Sequence, residues 1–593
     1  MAEETKEQEA WWRRYRDDLV IAAVTALVFG RGLFHGLVES WDDQRFLVDF
    51  EPVRSISWDH FVTLVSGPHF EAYQPLHLLS YWIDVPLFGP SGPAIHTVSL
   101  VLWIGAAMLW RRVFRRLGLG PRAALLAALL YAVHPVQVEV VQWATGRKDV
   151  VASLFAAAAT LSHLRSERWN DRFAVGALVG FLAAVLTKSI VLPLPLIWLA
   201  MDLVLERRAP RAALLRQGPA FVVAGVLAWV VFGLWRDAEL VREPLAGMGR
   251  ATLVAASYGH HLGKALVPWD LSPMYPLHRS APSLAWWLVP VALAAAIGAT
   301  KRWPRVRLGL VVFVLWLAPV SNVVPLYFEA HDRYVSFPLL GLALVAGAWI
   351  DGVRPRRQML LALAVVLYGG VTVAQLQHWR SDERLWVRAT RVQPESFYAW
   401  LKLGEVRRDA GDFEGALRAY ERAIEQRPEL AVGLGGLFHT LVLADEAELR
   451  LTPSRADAYA ANLLAVESDS VGLRRLAGTM VQAGYRRAAL FPLGRALDLA
   501  PIGDLRLGQA TVVQLDNGNL WLAEFYASRM SQVPPPLQAR FLAAEAAEAR
   551  GAADAEPGAA PPAADDAEDV PEEPSAEVDA PEPAPEPDAP GDQ

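Results

Sequence analysis

Residues 122–164 read RAALLAALLYAVHPVQVEVVQWATGRKDVVASLFAAAATLSHL, and this hairpin decides the fold. Two apolar runs, 122–134 and 150–164, flank a tip that carries His134, Glu139, Arg147, Lys148 and Asp149. Each run holds roughly 13–15 residues, which as helix reaches only about 20–23 Å at 1.5 Å per residue. That falls short of the ~30 Å hydrocarbon core of a bilayer. Irregular polar backbone at such depth is tolerated only where protein or a wet cavity surrounds it. The tip is therefore expected to sink below the membrane surface and line a cavity. Thr187-Lys188-Ser189, between two further short apolar runs, reads the same way.

Outward from this hairpin the chain is membrane-like. Of its 593 residues 53% are hydrophobic and 22 are Trp, well above a soluble norm. Membrane candidates fall at about 19–37, 94–110, 122–134, 150–164, 173–187, 190–205, 217–235, 284–300, 308–324, 334–350 and 358–376, eleven in all. The first has no small-residue cleavage site and reads as a signal anchor. Pro75–Leu87 and 251–267 read as helices lying in the interface. With a cytoplasmic N-terminus, each alternate loop (111–122, 165–172, 206–216, 301–307, 351–357) is rich in arginine or lysine, as the positive-inside rule requires. Basic loops and an Arg/Ala-rich composition point to a bacterial inner membrane.

Beyond His378 the pattern is that of soluble helix. Trp400, Leu403, Gly404, Gly411, Phe413, Ala416, Tyr420, Ala423 and Pro428 occupy tetratricopeptide-repeat (TPR) slots. A half-repeat precedes them (Trp386, Ala389, Pro394), and a weaker copy follows (Leu476, Gly484, Ala489, Ala496, Pro501). Residues 551–593 hold fourteen Asp or Glu, ten Pro and no Lys or Arg. This composition predicts disorder; without those carboxylates the net charge of −7 becomes +7. The expected organisation is thus all-α: a polytopic membrane domain over 1–377 (first outer loop 38–93), a TPR-like solenoid over 378–550 on the outer side, and a tail over 551–593. With no cysteine, thiolate metal sites and nucleophiles are excluded. No nucleic-acid partner is indicated.

The polar residues at the span ends gather on one side. Asp42 and Asp43 follow the first span, then Tyr73; the sunken tips supply His134, Glu139, Arg147, Lys148, Asp149 and Lys188; Asp332, Arg333 and Tyr334 precede a late span. Ionisable groups at membrane depth are costly and mark function. Arg147, Lys148, Lys188 and Arg333 can hold a phosphate whose lipid tail stays in the bilayer. Such neutralisation stabilises a leaving group as charge develops on it, while Asp42 or Asp43 can take a proton from an attacking hydroxyl. Each residue also has a plainer reading. Arg147 and Lys148 can anchor a helix end in headgroups, His134 can cap a helix, and Glu139 can pair with Arg147. A metal role for His134 and Glu139 is the weakest option, and the sequence requires no divalent metal.

Trp41-Asp-Asp43, Tyr73-Gln-Pro-Leu76, His134-Pro-Val-Gln-Val-Glu139 with Gly146-Arg-Lys-Asp149, Pro319-Val-Ser-Asn-Val-Val-Pro325 and Asp332-Arg-Tyr334 occur in this order. Together with the repeats they resemble the transmembrane-and-TPR O-mannosyltransferases (TMTC family) of the GT-C glycosyltransferase superfamily. The resemblance covers roughly residues 15–430. It implies inverting transfer of a sugar, such as mannose, from a polyprenyl- or dolichyl-phosphate donor to a hydroxyl of a protein or glycan on the non-cytoplasmic face. Asp42 would be the base, with Asp43 second, and the TPR domain would engage acceptor or partner. Two positions depart from the family pattern: Ser189 follows Lys188 where an acid is expected, and Asp332 stands where Glu is usual. The competing expectation is a non-catalytic TPR scaffold for envelope proteins. A transporter is disfavoured by the lack of an inverted repeat.

Overall fold

The computed structural model describes residues 2–427 except Glu71, 238–248, 278–283, Pro325, Tyr327, Val353 and Arg354; it also describes single helical positions between 433 and 515, and residues 520–554. The weaker repeat around 476–501 and the acidic tail beyond 554 lie outside the described residues, except Leu493 and Gly494. The chain divides into two compact units, Met1–Leu499 and Ala500–Gln593. In the second, helices Leu520–Ala527 and Pro535–Asp554 are described.

Helix dominates the first unit, and every apolar run read from the sequence is helical. In chain order the membrane region contains α1 (Ala2–Phe29), α2 (Trp58–Ser66), α3 (Pro75–Leu79), α4 (Val85–Phe88), α5 (Gly92–Arg116), α6 (Pro121–Ala132), α7 (Gln137–Gln142) and α8 (Arg147–His163). It continues with α9 (Arg172–Thr187), α10 (Leu194–Val204), α11 (Pro210–Asp237), α12 (Arg250–Leu266), α13 (Leu288–Ala299), α14 (Pro304–Leu317), α15 (Ser336–Ile350) and α16 (Pro355–Leu376). Among the described residues four stretches are long and apolar enough to cross a bilayer: Gly92–Arg116, Pro210–Leu234, Asp332–Ile350 and Pro355–Trp379. A bent pair, Tyr15–Phe34 with Glu39–Val48, adds a fifth. The two halves of that pair meet at 89°. We therefore read the span as ending at Phe34 and Glu39–Val48 as the first loop. The protein is an integral membrane protein, with apolar side chains such as Val222, Trp229, Met359 and Val366 turned outward.

Packing follows the demands of a bilayer. Buried indoles carry an N–H that needs a partner: Trp103 donates to the Ala132 carbonyl at 3.0 Å and Trp110 to Ser153 Oγ at 2.9 Å. Helices α14 and α15 meet at Gly309 and Gly341, where a Cβ on Gly309 would lie 2.5 Å from the Gly341 carbonyl oxygen. Small residues of this kind let membrane helices approach closely.

The repeat helices begin with α17 (Asp382–Val392), α18 (Phe397–Asp409) and α19 (Phe413–Gln426). Each starts on a side-chain cap: Ser381, Ser396 and Asp412 accept backbone N–H groups of Arg384, Ala399 and Gly415. Gly404 leaves room for the ring of Tyr420, as the consensus pairing of the two repeat helices requires. Helix α17 also reaches the first loop. Ser40 donates its hydroxyl to Asp382 at 2.7 Å, and the Trp386 indole donates to the same hydroxyl at 2.7 Å. Residues 40 and 382 therefore lie on one face, which requires an even number of membrane crossings between them.

Candidate functional site

The site is built around a stack of indoles. Glu39–Val48 forms a wide helical turn kinked at Trp41, whose backbone is non-helical (φ −110°, ψ −117°). The kink presents the Trp41 ring to Trp143, with centroids 4.5 Å apart and planes 16° from parallel. His331 and Trp379 stack on Trp41 at 5.9 and 6.4 Å, and Trp386 closes the cluster at 5.7 Å. These rings lock the first loop to the first sunken tip, to the turn before α15 and to the start of the repeats.

The two aspartates have different surroundings. Asp43 is fully buried and accepts three hydrogen bonds: from Val38 N at 2.8 Å, Thr145 N at 2.9 Å and Thr145 Oγ1 at 2.6 Å. Burial pushes its carboxyl up to about 6 against the opposing pull of those donors. Asp43 thus ties the first loop to the first tip. Asp42 is partly exposed and makes no hydrogen bond or ion pair with any described residue. Its charge acts on Lys148.

The cations differ equally. All five N–H groups of Arg147 are committed to protein: two to the Asp84 carboxylate (2.7 and 2.5 Å), one to Ser99 Oγ (3.0 Å), and one each to the carbonyls of Ser80 (3.2 Å) and Ile95 (2.8 Å). With no surface exposed, Arg147 bolts the first loop to α5 and α8 and has no donor left for a phosphate. Lys148, the next residue, points elsewhere. Its ammonium lies 4.7 Å from the Trp143 ring and 5.6 Å from that of Phe46, with no hydrogen bond or ion pair to a described residue. Burial draws its pKa down to about 8, with Asp42 pulling the other way and Lys188 and Arg333 adding to the fall. Lys188 binds both oxygens of Asp149 at 2.5 Å. Arg333 pairs through Nη1 with Glu139, whose other oxygen accepts the Arg333 backbone N–H at 2.8 Å. Its guanidinium lies 5.0 Å from the Trp143 ring and 5.3 Å from that of Trp41.

Asp42, Asp43, Glu139, Lys148, Asp149, Lys188 and Arg333 thus gather about the Trp41–Trp143 stack. Tyr334 joins them beneath the Arg333 guanidinium at 5.5 Å. Asp332, just beyond, accepts a hydrogen bond from Tyr275 at 2.6 Å. Two residues are elsewhere. His134 caps the tip, with Nε2 3.0 Å from the Ala265 carbonyl oxygen, and Tyr73 donates to the Val65 carbonyl at 2.9 Å. The pairing of Glu139 with Arg147, one of the plainer expectations, is replaced by Glu139 with Arg333 and Arg147 with Asp84. Among the described residues no three His, Asp or Glu side chains are grouped to hold a metal ion.

Comparison with known proteins shows what the chain is similar to. The tetratricopeptide-repeat model matches residues 383–431 and 401–461. The protein O-mannosyl-transferase TMTC4 of Homo sapiens is 25% identical over 488 residues, covering 68% of this chain, and TMTC3 of Mus musculus is 21% identical over 499 residues, covering 73%. The chain is a distant relative of the TMTC protein O-mannosyl-transferases. It spans 65% and 54% of the lengths of those two relatives, less than two thirds of either. TMTC4 of Mus musculus matches a shorter stretch more closely, at 32% over 159 residues. Two solved structures align weakly, each with a TM-score of 0.38. They are an Archaeoglobus fulgidus oligosaccharyltransferase tethered to an acceptor peptide (15% identical, 69% of this chain and 59% of that one) and ArnT from Cupriavidus metallidurans bound to undecaprenyl phosphate (14% identical, 90% and 88%).

Three structural groups were not legible in the sequence. Asp84 was legible only as a polar break in an apolar run, and Thr145 as a neutral residue of a tip. Trp41 was part of a motif, but its partners Trp143, Trp379 and Trp386 lie 102 to 345 residues away in the chain.

Proposed function

We propose that this chain is a membrane glycosyltransferase that moves a hexose, such as mannose, from a polyprenyl- or dolichyl-phosphate donor to a hydroxyl of a protein or glycan. The observation that carries the reading is the opposition of Asp42, a carboxylate with no donor among the described residues, to Lys148, an ammonium with no acceptor among them. Asp42 takes the proton of the attacking hydroxyl. The hydroxyl oxygen bonds to the sugar's anomeric carbon as the bond from that carbon to the phosphate oxygen breaks, with inversion. Lys148 receives the negative charge that collects on the departing phosphate, supported by Arg333 and Lys188, whose own carboxylate partners hold them in place. Arg147 is left out of the phosphate group because its donors are spent within the fold. The aromatic wall of Trp41 and Trp143 suits a sugar face or a lipid isoprene.

In the same reading residues 1–377 form a GT-C-like catalytic domain and 378–550 a TPR-like domain that engages the acceptor. The N-terminus is cytoplasmic and the repeats face the periplasm of a bacterial inner membrane. The test is transfer of labelled mannose from polyprenyl-phosphate-mannose in proteoliposomes. Asp42→Asn and Lys148→Ala should each abolish transfer while leaving the protein inserted and folded. The matched repeats also support a scaffold without catalysis. That reading is favoured if both variants leave cellular glycosylation unchanged while substitutions on the repeat surface do not.

A further inference from the structure

Helix α17 has two working faces. Asp382, Trp386 and Ala389 turn toward the first loop and the core, whereas Arg384, Arg388 and Arg391 repeat at the same spacing two residues later, about 200° around the helix. Those three arginines, with His378, Glu383 and Val387, line a cleft of about 320 Å³. This is at the lower end of the ~300–1,000 Å³ typical of ligand pockets. Arg384 and Arg391 are exposed and make no ion pair with a described residue. Arg388 pairs with Asp270 at 3.1 Å through Nη2, and its Nε is buried without a hydrogen-bond partner. The one carboxylate in the cleft, Glu383, is exposed and has Arg407 at 3.6 Å. Arg380 adds a further positive charge four residues before Arg384: both act on His35, whose imidazole is held below its ordinary range by burial first and by these charges second. The cleft is therefore strongly cationic.

Its depth relative to the bilayer is fixed by its neighbours. The last apolar span runs to Trp379, so Arg384 follows the membrane by about one helical turn. Beside Asp270, Leu266, Val267 and Trp269 are 57%, 64% and 65% exposed, and beside His35, Phe34 is 83% exposed. Exposed Trp, Phe and Leu in a belt around the end of a span mark the headgroup level of a membrane. A phosphate-binding cleft at this level is within reach of lipid headgroups.

We propose that the Arg384–Arg388–Arg391 cleft binds the phosphate of an anionic phospholipid in the leaflet met by the face that carries residues 40 and 382. The acyl chains lie along the exposed apolar belt, and the phosphodiester sits among the guanidinium groups, which suit its geometry. This site is distinct from the Asp42–Lys148 pair, stands on the opposite face of α17, and does not depend on the reaction proposed above. Phosphate recognition of this kind also accounts for four arginines directly after a span, on the face where the sequence otherwise places little positive charge.

The full chain, purified in detergent, is incubated with phosphatidylglycerol, phosphatidylcholine, soluble glycerophosphoglycerol or inorganic phosphate, and bound lipid is counted by native mass spectrometry. Wild type should retain phosphatidylglycerol over phosphatidylcholine, and neither soluble phosphate at millimolar concentration should displace it. Arg384→Gln/Arg391→Gln, at exposed positions, should weaken retention about 30-fold with the unfolding temperature unchanged. Adding Arg388→Gln should weaken it further. Equal retention by wild type and the double variant would overturn the proposal. So would displacement by inorganic phosphate, which would mark a site for the free anion.

Discussion

The clasp between Ser40 and α17 makes the repeat region a part of the site, and its loss has a size that can be worked out. Ser40→Ala removes two hydrogen bonds at once: the one its hydroxyl gives to the Asp382 carboxylate and the one it accepts from the Trp386 indole, both 2.7 Å. A hydrogen bond to a charged group contributes about 1.5–3 kcal/mol and a neutral one about 0.5–1.5. The Ser40 backbone N–H still reaches Asp382 at 3.3 Å, which offsets part of the loss. A net cost near 2 kcal/mol is expected, and at about 1.4 kcal/mol per factor of ten this is roughly a 30-fold fall in productively placed first loop. The assay is kcat and KM for sugar transfer in proteoliposomes, with thermal unfolding measured alongside. Transfer should drop about 30-fold in kcat/KM with the global unfolding temperature little changed, because the clasp holds a loop and not the bundle. A double-mutant cycle sharpens the test: once Ser40 is Ala, Asp382→Ala should add little. If Ser40→Ala stays within twofold of wild type, or if the two substitutions are additive, the coupling of repeat helix to site is refuted.

Other substitutions probe the remaining parts of the site. Lys148, with its pKa near 8, should hold the donor phosphate below that pH and lose it above, so KM for donor should rise on the alkaline side; Lys148→Arg should move that rise to higher pH. Asp43 works in the same sense at lower pH, on stability rather than on donor binding. A carboxyl raised from 3.8 to about 6 contributes stability that is complete below the unfolded value and lost as pH rises through the folded one. That amounts to about 3 kcal/mol between pH 3.8 and pH 7, and Asp43→Asn should flatten this part of the pH-dependence of unfolding. Arg147→Ala leaves Asp84 charged, unpaired and fully buried, a loss of about 3–5 kcal/mol that should appear as poor expression and early unfolding. Gly341→Leu should separate α14 from α15 and lower the unfolding temperature without altering lipid retention at the cleft of α17.

Much of the fold was legible because a bilayer imposes simple rules. Apolar length alone located the helices, and the short runs on either side of 135–149 betrayed a tip whose residues are indeed buried. The repeat helices were equally readable, since Gly404 and Tyr420 must face each other for the pair to close. What could not be read was the choice among like charges. Arg147 and Lys148 are neighbours in a motif, yet the step of about 100° between adjacent helical residues sends Arg147 inward to Asp84 and leaves Lys148 over Trp143. Nothing local distinguishes them, because the deciding carboxylate is 63 residues distant. Asp42 and Asp43 differ for the same reason: the donors of Thr145, 102 residues away, select Asp43 for burial. Sequence spacing names the candidates for a site, and long-range partners divide them into those that hold the fold and those left without a partner among the described residues.

The bonds between Ser40 and Asp382 join residues 342 positions apart, and this separation has a consequence for how the protein is made. At about 5–20 residues per second, the ribosome takes roughly 20–70 s to reach α17 after releasing the first loop. Throughout that interval Trp41 waits at the membrane surface without the indoles of Trp379 and Trp386 that will cover it. A nascent chain therefore holds its first-loop carboxylates in an unfinished setting until the helix Asp382–Val392 has been made, about two thirds of the way along the 593-residue chain. Chains that stop short of residue 382 are expected to insert and remain silent, exposing an aromatic surface that marks them for quality control.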